Sequence, residues 1–199
     1  MRKTRNHASK GLQKSKATGN IRIIAGKHRG RKLPVLMSDG LRPTTDRVKE
    51  TVFNWLMPYI NQSICLDCFA GAGSLGFEAL SRGAKKVTLI ELDKHAAKQL
   101  QQNKALLKAD DIEIHQANAL TFLATPTTSK FDVVFIDPPF RKGLAEQAIE
   151  LVKNNWLADK ALIYIEMENE NDQLSTPDNW SLLKEKNSGQ VSYRLYQKN

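Results

Sequence analysis

Apolar residues along the chain alternate between short continuous runs and stripes recurring every three or four positions. Ile64 to Phe69, Lys86 to Glu91, Ile112 to His115, Phe131 to Ile136 and Ala161 to Glu166 are runs of strand type. Between them lie stripes of helical period: Ser74 to Arg82, Lys94 to Lys108 with Ala97, Leu100 and Leu107 on one side, a short Leu120 to Leu123, and Gly143 to Asn154. Strict alternation of strand and helix predicts an α/β fold built on a parallel, doubly wound sheet. The tail differs. Trp180 to Lys186 and Gln190 to Tyr196, around the turn Asn187-Ser188-Gly189, predict an antiparallel hairpin. The expected sheet is therefore seven-stranded and mixed, five parallel-type strands plus this hairpin.

Ahead of the alternation, Asn20 to Leu36 predicts another β-hairpin, whose Gly-Lys-His-Arg-Gly-Arg-Lys turn carries Lys27, Arg29, Arg31 and Lys32. A helix follows from Thr44 or Thr45, with Asp46 in its first turn. Val48, Val52, Leu56 and Tyr59 form its inner face, Phe53, Trp55 and Ile60 broaden the stripe, and Pro58 ends or kinks it. Residues 1–19 offer almost nothing to bury and read as a disordered basic arm. The expected organisation is an arm over 1–19, a hairpin-and-helix extension over 20–60 that binds RNA, and a catalytic domain over 61–199.

Charge sharpens the function. The chain carries +9, but residues 1–49 alone hold 14 Lys/Arg against Asp39 and Asp46, a net of +12 that leaves −3 for the rest. A basic quarter on a near-neutral body points to nucleic acid rather than membrane, since the arm has no amphipathic apolar face. No run approaches a membrane span and the N-terminus lacks an apolar signal core, so a soluble, cytoplasmic protein is expected. Cys65 and Cys68 have C-x-x-C spacing, yet residues three apart in a strand point to opposite faces. His7, His28, His95 and His115 are scattered, so buried reduced thiols are expected and no metal. No spare apolar element demands a partner copy, which favours a monomer.

Two strand ends carry the chemistry. The run Phe131 to Ile136 stops at Asp137-Pro138-Pro139-Phe140, a carboxylate, a rigid turn and an aromatic face where open α/β sheets bind ligands. Gly71, Gly73 and Gly76 satisfy G-x-G-x-x-G after another strand, and Glu91 ends the next strand twenty positions after Gly71. That spacing suits the adenosine of NAD or of S-adenosylmethionine. Asp67 favours the second, because a carboxylate attracts the ammonium of the methionine part and repels a pyrophosphate. Hydride transfer also has no evident use for the Asp-Pro-Pro-Phe tetrad.

Asp-x-Phe-x-Gly-x-Gly from Asp67, then Glu91, then Ile136-Asp-Pro-Pro-Phe140, resembles S-adenosylmethionine-dependent methyltransferases acting on exocyclic amino groups of bases. Gly19 to Pro34 and Leu41 to Trp55 are similar to the RsmD family, the bacterial 16S rRNA (guanine(966)-N2)-methyltransferases, and the likeness runs over about residues 19–197. It implies a Rossmann-like methyltransferase fold. It also implies that Asp67, Phe69, Ala70, Gly71 and Gly73 hold the donor's methionine part, Glu91 the ribose, Leu92 the adenine face, and Asn118 with Ala119 the adenine edge. Many related enzymes have Asp where this chain has Asn118. Asp137 and the Pro138 carbonyl would accept the amino N–H groups of guanine, Pro139 would stiffen the turn and Phe140 would stack on the base. Arg42, Arg47, Arg141 and Lys142 would join the hairpin cations on RNA, the partner being 16S rRNA or the assembled small subunit. An adenine-N6 methyltransferase on RNA or DNA shares the core motifs, and an NAD-binding oxidoreductase shares only the glycine loop.

Overall fold

The computed structural model describes residues 18–36, 45–140, 143–168 and 174–199. Of the arm expected over 1–19, residues 1–17 lie outside the described residues, as do Arg42, Arg141 and Lys142, whereas Thr18 and Gly19 already belong to the first strand, paired with Leu36 and Val35.

The N-terminal hairpin pairs β1 (Thr18–Arg22) with β2 (Lys32–Leu36). Next comes α1 (Asp46–Leu56), capped by the Thr45 hydroxyl on the Val48 N–H at 3.3 Å and ended one residue before Met57-Pro58. Val52, Phe53 and Leu56 are fully buried as expected, but Tyr59 lies outside the helix and is 47 % exposed. Lys49 takes an inner position instead. Its ammonium donates to the Arg22 carbonyl at 2.6 Å and pairs with Asp46 at 3.3 Å, which satisfies a buried charge.

The remaining strands are β3 (Ile64–Asp67), β4 (Lys86–Glu91), β5 (Ile112–Gln116), β6 (Phe131–Ile136), β7 (Leu157–Glu168), β8 (Trp180–Ser188) and β9 (Val191–Lys198). They form one sheet in the order β5-β4-β3-β6-β7-β9-β8. The first five are parallel, while β9 lies antiparallel between β7 and β8. The order reverses between β3 and β6, so the glycine-loop strand and the tetrad strand are hydrogen-bonded neighbours at the switch point. β7 begins four residues earlier than the apolar run, with an irregular register opposite Phe131 and Val133.

Two apolar layers cover the sheet. On one face α1, α2 (Ser74–Ser81), α3 (Lys94–Leu107) and the hairpin side chains Ile21, Ile23, Leu33 and Val35 pack over Cys65, Leu89, Phe135 and Tyr164. On the other, α4 (Ala119–Leu123) and α5 (Leu144–Asn155) pack over Leu66, Cys68, Val134 and Ile163. Cys65 and Cys68 are both free and buried, and they contribute to opposite layers, as strand alternation requires. Among the described residues no helix is long and apolar enough to cross a membrane.

Candidate active site

The loop after β3 is tied to both neighbouring strands. The Cys68 N–H donates to the Phe135 carbonyl of β6 at 3.0 Å, and the Ala70 N–H to the Ile90 carbonyl of β4 at 2.9 Å. Phe69, half-buried, packs against the α4–α5 layer. Gly73 enters α2 at φ +78°, a conformation that side chains disfavour. Gly76 serves packing instead, since a Cβ there would meet the Leu89 side chain at 2.2 Å.

Two carboxyl groups face this loop. Glu91 accepts the Gly71 N–H at 2.7 Å and the Asp93 N–H at 2.7 Å. Burial raises its pKa, the Asp93 charge adds to the rise, and those N–H groups hold it back. Asp67 is buried, and burial pushes its carboxyl up to about 7 against the backbone N–H groups of Phe69 and Gly76. Its Oδ1 has no hydrogen-bond partner. A buried carboxylate oxygen without a partner has the chemistry to fit the ammonium of an amino-acid moiety.

The positions expected to meet adenine, Leu92, Asn118 and Ala119, follow the ends of the neighbouring strands β4 and β5. Leu92 is 63 % exposed, an apolar surface just beyond β4. The Ala117 N–H donates to the Glu91 carbonyl at 3.0 Å, joining the ends of β4 and β5. The Asn118 side-chain oxygen caps α4 on the Thr121 N–H at 3.1 Å. Ala119 buries its side chain, so only its backbone, in the first turn of α4, can meet a ligand.

Across the switch point, Asp67 is level with Phe135, which places Asp137 two residues beyond the same row. Asp137 is half-buried, Pro138 buried, and Pro139 and Phe140 exposed. Behind them lies a pair that did not stand out in the sequence. The Tyr164 hydroxyl donates to Glu166 at 2.8 Å inside the protein. Burial raises the Tyr164 phenol far above its ordinary value, and the charges of Glu166 and Asp137 add to the rise. Glu166 and Met167 line a cleft beside Pro138, Phe140 and Leu144. The signal available was Tyr-Ile-Glu at the end of β7, two polar residues on one face of an otherwise apolar run.

The cations divide. Arg47 is exposed in the first turn of α1. Lys27, Arg29, Arg31 and Lys32 are not brought to the tetrad. Their turn rests on the far end of α2, at the edge of the sheet where β3 and β4 begin. Its backbone is consumed there: the Ile24 and Ala25 N–H groups donate to Glu78 at 2.8 and 3.1 Å, Lys27 to the Ser81 carbonyl at 2.7 Å and His28 to the Ser81 hydroxyl at 2.9 Å. The glycine-rich turn therefore forms no backbone phosphate cradle, and any anion it holds is met by side chains.

A seven-stranded sheet with this order, a carboxylate-lined glycine loop and an Asp-Pro-Pro-Phe turn on adjacent strand ends define a Rossmann-like α/β methyltransferase. Known proteins agree. The family model described as "Conserved hypothetical protein 95" matches residues 21–197. The chain is 62 % identical over 192 residues to ribosomal RNA small subunit methyltransferase D of Haemophilus influenzae, covering 94 % of this chain and 99 % of that protein. Its identity to the Escherichia coli K12 protein of the same name is 58 % over 182 residues, 91 % of each. Among solved structures, a putative methyltransferase (yhhF) from Escherichia coli superposes with a TM-score of 0.85 at 54 % identity, over 90 % of this chain and 98 % of that one. The chain belongs to the RsmD family of methyltransferases.

Proposed function

We propose that this enzyme transfers the methyl group of S-adenosylmethionine to the exocyclic N2 of a guanine in 16S ribosomal RNA. The observation that carries this is the adjacency of the two motifs: the donor loop ends β3, the tetrad ends β6, and the strands are paired in register. The name those relatives share, ribosomal RNA small subunit methyltransferase D, supports the substrate class.

Asp67 and the Phe69–Gly73 loop would hold the methionine part of the donor, Glu91 the ribose hydroxyls, and Leu92, Asn118 and Ala119 the adenine. Bound there, the donor supplies an electrophilic methyl group. The chain's own task is at the acceptor. The guanine amino lone pair is delocalised into the ring, so attack requires the nitrogen to become tetrahedral and transiently cationic. Asp137 accepting one N–H and the Pro138 carbonyl accepting the other favour that geometry and that charge. Asp137 can then receive the released proton. Pro139 stiffens the turn. Phe140 offers a face on which a base taken out of its stack can lie, worth roughly 1–3 kcal/mol. Arg47, exposed in the first turn of α1, would meet nearby phosphates.

The test is to offer labelled donor with unmodified small subunits, free 16S rRNA and DNA, and to map the modified base. Label on a guanine N2 of 16S rRNA supports the assignment. Label on adenine N6, or none on any substrate, overturns it. Asp137→Ala should bind donor normally and lose at least about a hundredfold in methyl transfer.

A further inference from the structure

Tyr164 and Glu166 stand on β7, the strand paired with the one that ends in the tetrad. Ile136 of β6 is level with Ile165 of β7. Asp137 and Glu166 are therefore the next residues along two parallel strands, about 5 Å apart. Side chains two positions apart on a strand share a face. Glu166 thus lies on the face of Tyr164, whose neighbour in the sheet is Phe135, two positions before Asp137. The charges of Glu166 and Asp137 both raise the Tyr164 phenol, which brings the two carboxylates to one neighbourhood.

Glu166 is only 9 % exposed, yet it lines the cleft beside Pro138 and Phe140. A carboxylate so placed is costly unless N–H or O–H groups meet it. The Tyr164 hydroxyl donates to its Oε2 at 2.8 Å and fixes the side chain, while a carboxylate offers about four acceptor positions in all. Burial keeps the proton on Tyr164, so the hydroxyl remains a donor. The mount is rigid, because β7 is paired on both sides and Glu166 is level with Tyr193 of β9. Two neighbouring carboxylates repel each other, and an N–H donor brought against them relieves that repulsion.

Guanine and adenine differ at this point. Beside the amino group of guanine the ring N1 carries a proton, whereas beside that of adenine N1 carries a lone pair. With Asp137 and the Pro138 carbonyl on the amino hydrogens, N1 is the next group along the base edge. We propose that Glu166, held in place by Tyr164, accepts the N1–H of the target guanine and makes an amine-methylating site specific for guanine. The role rests on the methyl-transfer reading above and names the base that the tetrad alone leaves open. Adenine would set two acceptors face to face in a place water scarcely reaches, which disfavours it.

The experiment uses the full chain, wild type and Glu166→Gln, with the substrate that carries label in the mapping above. That substrate is prepared with guanine or with 2-aminopurine at the target position. 2-Aminopurine keeps the 2-amino group but has a lone pair at N1 and no oxygen at C6. Wild type should methylate guanine with a kcat/KM at least about a hundredfold above that for 2-aminopurine. The amide introduced by Glu166→Gln keeps an acceptor for the Tyr164 hydroxyl and can donate to a bare N1. The variant should bind donor as wild type does and lower the guanine to 2-aminopurine ratio at least about tenfold. An equal loss on both bases overturns the proposal and leaves Glu166 as a support for Tyr164. Equal methylation of the two bases by wild type overturns it without any variant. If the mapping puts no label on guanine, the methyl-transfer reading itself fails and this role falls with it.

Discussion

The carboxylate of Glu91 at the end of β4 accepts the backbone N–H of Gly71 at 2.7 Å, so the residue expected to hold the donor ribose also closes the donor loop. Its other oxygen takes the Asp93 N–H. Glu91→Ala strands both donors, at about 1–3 kcal/mol for hydrogen bonds to a charged acceptor. Donor affinity measured by calorimetry should fall at least about tenfold. Glu91→Gln keeps an acceptor and should lie between. Tight donor binding by the alanine variant would leave Glu91 a structural role only.

If Asp67 meets the donor's ammonium as proposed, donor binding depends on pH. Burial raises its carboxyl to about 7 in the folded chain, well above the ordinary carboxylate value near 4. Its contribution to the stability of the free protein is therefore complete below about pH 4, and is lost as pH rises towards 7. A cationic donor group favours the carboxylate form, so affinity should climb with pH up to about 7. At pH 6, calorimetry in buffers of different ionisation heat should show proton release on donor binding. Asp67→Asn should abolish that release. Zero release by wild type at pH 6 would disprove the coupling.

The two glycines of the basic turn should behave differently. Both have positive φ, +79° for Gly26 and +81° for Gly30, so alanine costs roughly 1–2 kcal/mol at either. At Gly26 a Cβ would also fall 1.8 Å from the Ser81 carbonyl oxygen, while at Gly30 nothing lies within 4 Å. Gly26→Ala should therefore unseat the turn and lower the melting temperature clearly more than Gly30→Ala. Equal melting points would mean that the turn is not seated on α2.

What the sequence revealed follows from what periodicity measures. Continuous runs and helical stripes disclosed the alternation, and with it the switch point where Asp67 and Asp137 come to one edge. A stripe marks an apolar face without naming what lies across it. Tyr59 does not hold its expected inner place, and Lys49 lies inside because the Arg22 carbonyl, 27 positions away, supplies a partner there. The glycines and cations of the basic turn are legible because they are local in sequence. Its docking on Glu78 spans 54 positions and left no trace in the pattern. Tyr164 and Glu166 stayed hidden for the same reason, since only the pairing of β6 with β7 carries them behind the tetrad.

Glu78 offers the most demanding test of that docking. It is fully buried and accepts from Ile24, Ala25 and the Arg82 guanidinium, which is itself 14 % exposed. Replacing the carboxylate with an amide leaves Arg82 facing a neutral group in a place water scarcely reaches. Breaking a buried pair in this way costs about 3–5 kcal/mol. Glu78→Gln should therefore lower stability to denaturant by that order and speed hydrogen exchange at the Ile24 and Ala25 amides. Because α2 also carries the donor loop at its other end, donor affinity measured on the folded fraction shows how far the damage travels. Exchange confined to the turn, with donor affinity kept, is the expected result, since Gly71 to Gly73 are held by β4 and by Glu91 rather than by the turn. Wild-type exchange at Ile24 and Ala25 would show that Glu78 does not hold the turn.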